Sequence, residues 1–118
     1  MNESRYEPWQ KAELGRIFGE YFLSLGNLKQ SQNYFKQSLE LNKKEAKTWF
    51  SYAKLNETVF NELKDEKSLT NAIKGYMSAT ALSLHKSRLI IPHILKLIRR
   101  REHNNSQTLS RAVVANID

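Results

Sequence analysis

The sequence predicts an all-α chain of tandem antiparallel helical hairpins, on three observations. Two prolines and four glycines are all that punctuate 118 residues. No stretch of alternating β-branched residues bounded by turn residues occurs, so strands have no support. Apolar and small residues recur at helical spacing in blocks, and the blocks themselves recur along the chain.

Pro8 suits the first turn of the opening helix, where a missing N–H costs nothing. Leu14, Ile17, Phe18, Tyr21, Phe22 and Leu25 then fall on one broad stripe that is expected to face the core. Gly26 supplies a left-handed stop, and Asn27 with Gln30 has the form of a capping box for the next helix. So short a turn makes the two helices antiparallel. The second helix is expected from Leu28 to Leu41, with Leu28, Ser31, Phe35 and Leu39 inward and Asn42 and Lys43 ending it. The third turns Ala46, Trp49, Ala53, Val59, Phe60 and Leu63 inward. Lys64 to Lys67 read as a charged loop, and the fourth helix buries Leu69, Ala72, Ile73, Tyr76 and Ala79.

Pro92 lies inside the apolar run from Leu89 to Ile98, where it breaks or kinks a fifth helix unless that helix begins nearby. Glu102 to Gln107 has no apolar period and reads as a loop. A short helix from Thr108 to Asn116, capped by Ser106 or Gln107, would follow it. The chain therefore divides into about two and a half hairpins over residues 8–101 and a polar linker over 102–118.

The repeat is the most informative feature. Phe18-Gly19, Phe22, Gly26, Ser31, Phe35 and Ser38 lie in a 34-residue segment from Ala12 to Glu45, and Trp49 falls 34 residues after Gly15. Small residues such as Gly19, Ser31 and Ser38 let two helices approach while Phe22 and Phe35 fill the space between them. Ala72, Tyr76, Ala79 and Leu82 match Ser31, Phe35, Ser38 and Leu41 at an offset of 41 residues, which places a longer turn around Asn61 to Lys67. These positions resemble a tetratricopeptide repeat, so the chain is expected to be a tetratricopeptide-like α-solenoid segment whose hairpins each leave an apolar face for a neighbour. It departs from that pattern at Lys43, where a proline is usual, and at Tyr52-Ala53, where Leu-Gly is typical.

Composition excludes several function classes. With no cysteine, the chain has no disulfide, thiolate zinc site or cysteine nucleophile. Glu3, Glu7, Glu13 and Glu20 interrupt the opening segment, so no secretion signal is read there, and no apolar run approaches the roughly 20 residues of a spanning helix. A soluble, intracellular protein with no membrane partner is expected. The four glycines are dispersed, so no phosphate-cradling loop is present. No pair among His85, His93 and His103 has the spacing of a metal site on one helix face, and all three read as surface or boundary residues. Glu62, Asp65 and Glu66 read as a solvated loop, and Trp9 and Trp49 as core packing. No catalytic residue, metal or cofactor is assigned.

The net charge of +7 is local. Lys86, Arg88, Lys96, Arg99, Arg100 and Arg101 contribute six cations without an acid between them, while the rest of the chain holds 13 cations against 12 acids. Such a field can hold phosphate or an acidic partner, which makes this stripe the candidate binding site. Its structural explanation is a solvated helix end, because cations near a helix C-terminus are favoured by the dipole.

Several ordered segments carry a further resemblance: Gly19-Glu20-Tyr21-Phe22-Leu23, Ala46-Lys47-Thr48-Trp49, Ala72-Ile73-Lys74-Gly75-Tyr76-Met77, Lys86-Ser87-Arg88 and Ile94-Leu95-Lys96-Leu97-Ile98. In order and spacing, over roughly residues 12–100, they look like the FAT domains of phosphatidylinositol-3-kinase-related proteins, and within that family its pseudokinase branch. That resemblance implies a nuclear, non-catalytic scaffold without a cofactor. Its protein partners would be the rest of the FAT and kinase-like domains, histone acetyltransferase complex subunits and transcription activators. It also implies an inositol polyphosphate as a candidate ligand of the basic stripe. The alternatives are a free-standing tetratricopeptide adaptor that binds a peptide, the regulatory segment of an active kinase of the same superfamily, and, more weakly, a nucleic-acid-binding helix.

Overall fold

The structure, a computed structural model, describes residues 5–117, with side chains described throughout except at Lys86 and 106–117. It is all-α. Five helices, α1 (Pro8–Ser24), α2 (Leu28–Leu41), α3 (Ala46–Leu63), α4 (Glu66–Leu82) and α5 (Ser87–Ile117), follow one another, with a 3-10 turn over Leu84–Lys86 before the last. The pairs α1–α2 and α3–α4 form antiparallel hairpins, and α5 packs on α4. This is the tandem hairpin architecture expected from the repeat.

Local chemistry explains the boundaries. Pro8 opens α1 behind a capping box in which Glu7 and Gln10 satisfy each other's backbone N–H. Gly26 adopts φ 78° in the turn, and the Asn27 side chain accepts from the Gln30 N–H to start α2. Asp65 caps α4 through the Lys67 N–H and the Ser68 hydroxyl, so this acid is a helix cap rather than part of a solvated loop.

Inside each hairpin small residues set the distance between helices. Ser31 Oγ donates to the Gly19 carbonyl at 2.7 Å and Ser38 Oγ to the Ala12 carbonyl at 2.6 Å, both buried. The partner number falls on α1 as it rises on α2, as antiparallel packing requires. Phe35 lies flat over Gly19, where even a methyl group would approach its ring to 2.7 Å. In the second hairpin Gly75 faces Ala53, so alanine occupies the small position that Gly19 holds in the first. Leu69, Ala72, Ile73, Tyr76 and Ala79 form one cluster with Phe60 of α3 and with Ile90, Ile94 and Leu97 of α5.

Several expectations require correction. The stripe on α1 exists but points outward: Ile17, Phe18, Tyr21 and Leu25 are exposed, while Ala12, Gly15 and Gly19 form the buried face. Close helix contact selects small side chains, so the bulky stripe is displaced to another flank. Trp9 likewise lies in solvent and Leu63 is exposed at the end of α3, whereas Trp49 is half-buried and donates its Nε1–H to the Lys43 carbonyl at 2.8 Å.

The turn after α3 is only Lys64 and Asp65; the extra residues of the second unit extend α3 and α4 themselves. Lastly, α5 does not give way to a loop over 102–107, while at Pro92 the exception holds, since the helix begins nearby. Because α5 starts at Ser87, Pro92 falls in its second turn, and both Pro92 and Arg88, whose carbonyl loses its partner, are exposed to water. Beyond Arg101 the backbone stays helical to Ile117, so no new helix is capped at 106–107; extending a formed helix is far easier than nucleating one.

Candidate functional site

The basic stripe is divided by the helix that carries it. Lys96, Arg99 and Arg100 line a cavity of about 750 Å³ together with His103 and Asn104 of α5, Phe60 and Lys64 of α3 and the α3–α4 turn, and Glu66 of α4. Arg88 is exposed more than a turn towards the N-terminus. Arg101 follows the buried stripe of Ile90, Ile94 and Leu97, is half-buried and does not line the cavity. The Lys86 side chain lies outside the described ones. Three of the six predicted site residues are thus brought together, and the structure adds Lys64 and His103, which come from either side of the stripe in the sequence.

The backbone positions Lys64 directly. It ends α3 in the left-handed conformation, φ 57° and ψ 30°, and its N–H donates to the Phe60 carbonyl at 2.8 Å. This turn brings its ammonium to 5.9 Å from the centroid of the Phe60 ring. Arg100 reaches the same ring from α5, its guanidinium 4.9 Å from the centroid, and Nη2 donates to Asn61 Oδ1 at 3.2 Å. Phe60 itself is buried. Among the described residues none of Lys64, Lys96, Arg99 and Arg100 forms a salt bridge. With α5 continuing to Ile117, Arg99 to Arg101 lie in the middle of a helix, where the dipole of a helix end does not account for them.

A second constellation was not legible in the sequence. Glu57 Oε1 accepts from the Tyr76 hydroxyl at 2.9 Å and meets His93 Nε2 at 2.7 Å, and the Tyr76 and His93 rings pack edge to face with centroids 5.2 Å apart. The three groups join α3, α4 and α5 around a smaller cavity of about 380 Å³ that Leu23, Lys54, Thr58 and Asn61 complete. Burial pushes the Tyr76 phenol well above its ordinary pKa, and the Glu57 carboxylate adds to the effect. The Thr58 hydroxyl at its edge donates to the Lys54 carbonyl of its own helix. One signal did exist. Tyr76 occupies the repeat position of Phe35, and a buried phenol in an apolar position needs a partner for its hydroxyl.

The first two odd-numbered helices are joined in a similar way. Arg16 pairs with Glu13 and, at 2.8 Å, with Glu20, and Ser51 Oγ of α3 donates to the other Glu20 oxygen at 2.6 Å. The hydrogen bond that Arg16 donates to the Glu13 carboxylate lowers the Glu13 pKa and raises that of Arg16. Among the described residues no group of three His, Asp or Glu side chains could hold a metal ion, and no helix is long and apolar enough to cross a membrane. No family model, curated protein or solved structure matches this chain.

Proposed function

We propose that this chain is a non-catalytic, protein-binding segment of a helical-repeat scaffold of the kind formed by the FAT domain of TRRAP-like pseudokinases. One observation carries the reading: the first and last helices present large apolar side chains outward. On α1 the outward stripe includes Ile17, at 46% exposure, and Tyr21, at 55%; on α5 it includes Ile91, at 48%, and Leu95, at 49%. Ile91 and Leu95 are one turn apart on α5, adjoin half-buried Ile98, and do not line the basic cleft. A solenoid repeat leaves such faces because its neighbour covers them.

The more specific part of the proposal, a nuclear scaffold for histone acetyltransferase subunits and activators, is supported by the ordered segments in α1, α3, α4 and α5 that resemble FAT domains. Light scattering across a concentration series tests the general part. The chain should associate as concentration rises and bind a hydrophobic dye, and Tyr21→Glu with Leu95→Glu should weaken both without loss of helicity. A monodisperse monomer that binds no dye would refute it. For the specific part, tagged protein containing this segment should recover histone acetyltransferase activity from nuclear extract. Recovery of none sinks the TRRAP-like assignment alone.

A further inference from the structure

We propose that the cleft between the α3–α4 corner and α5 docks an acidic peptide segment of a protein partner. The inference rests on the protein-binding reading for the class of occupant, but it uses residues distinct from the apolar end faces. The first argument is charge. Among the described residues, Lys64, Lys96, Arg99 and Arg100 converge with His103 around one cavity whose only acid is Glu66, and none of the four cations is in a salt bridge. Like charges held together without partners are destabilising on their own, so a ligand of opposite charge is the physical complement of the arrangement.

Arrangement narrows the ligand. Lys96, Arg99, Arg100 and His103 follow the i, i+3, i+4, i+7 spacing of one helix face, a ridge of about 10 Å at the helical rise. Arg100 is held in place by Phe60 and Asn61 with one guanidinium nitrogen engaged, which leaves donors of its fork free for a carboxylate. The exposed Lys96 and Arg99 offer aliphatic stems beside their charges. Carboxylates one turn apart on a helix, or on alternate residues of an extended segment, match a ridge of this length. A compact polyphosphate is matched less well, because three of the four cations lie along one face of α5 and only Lys64 stands on the other wall. Single-stranded nucleic acid requires aromatic platforms, and the Phe60 ring is buried with Arg100 over it.

The test uses the whole chain and a fluorescent Asp/Glu-rich peptide, its Asn/Gln counterpart, inositol hexakisphosphate and an oligothymidine. The acidic peptide should bind with an affinity that falls as salt rises, and the amide counterpart should not. The double variant Lys96→Glu, Arg99→Glu, both exposed residues, should lose at least about tenfold in affinity. Arg88→Glu, outside the cleft, should stay within about twofold. Thermal melts of each variant establish that the fold is retained, and Arg100 is left intact because it packs on Phe60. Equal binding of the acidic and amide peptides, equal losses in the cleft and Arg88 variants, or cleft-dependent binding of only the polyphosphate or the oligonucleotide would each overturn the proposal. Concentration-dependent association through the end faces would survive any of these results, so the two proposals fail separately.

Discussion

Replacing Gly75 by alanine sets two effects of opposite sign against each other. Helix propensity favours alanine over glycine by about 1 kcal/mol in a helix interior. The tertiary structure opposes it: a Cβ at Gly75 would lie 2.9 Å from Ala53 Cβ, 3.2 Å from Ala53 Cα and 3.3 Å from the Trp49 carbonyl oxygen. Two of these atoms are backbone and the third is bonded to it, so the site can relax only by moving α3 away from α4. Overpacking of this kind costs about 1–3 kcal/mol, and the upper half of that range applies where backbone must move. Gly75→Ala should therefore destabilise by about 1–2 kcal/mol net and lower the melting midpoint by about 4–8 °C. Urea denaturation followed by circular dichroism, on dilute protein, measures the loss. Ala53→Gly removes the nearest atom, so a double-mutant cycle should give a favourable coupling of about 2 kcal/mol. Stabilisation by Gly75→Ala, or coupling within about 0.5 kcal/mol of zero, would refute the close approach of α3 and α4.

Three further predictions rest on separate observations. Ser31→Ala and Ser38→Ala each remove a buried hydroxyl bond to a carbonyl of α1, and each should cost about 1 kcal/mol in urea melts. A zero cost for both would mean that the hydroxyls do not staple the hairpin. Trp9→Ala should change stability by less than about 0.5 kcal/mol because Trp9 is 62% exposed, against the 3–5 kcal/mol of a core aromatic. Tyr76 should make the fold sensitive to alkali. Its phenol is raised in the folded state, so above the unfolded value near pH 10 the unfolded chain binds fewer protons and stability falls as pH rises, by up to about 1.4 kcal/mol per unit. Tyr76→Phe should flatten that slope in pH-dependent melts, and an unchanged slope would place the alkaline sensitivity elsewhere.

Much of the fold is a local property, and local properties are legible in a sequence. The bounds of α2 follow from Asn27 at one end and Asn42 at the other, and the buried face of α4 follows from the 3.6-residue spacing of Leu69, Ala72, Ile73, Tyr76 and Ala79. The 34-residue offset also located the small positions at which helices touch, because close packing constrains residue size directly. The basic stripe was visible as composition, although its relation to a cleft was not.

The sequence by itself determined the class, the hairpin order, the Gly26–Asn27 turn that caps α2 and the places of close helix contact, since each depends on a local pattern of residue size and type. Tertiary structure decided which flank of α1 is buried, because a Gly-rich face and an apolar stripe both satisfy helical periodicity and only the presence of α2 selects between them. It also decided that Lys64 joins Lys96, Arg99 and Arg100, and that Glu57 meets Tyr76 and His93. Those meetings depend on how far α5 sits from α3, a distance set by packing in the core and carried by no local pattern.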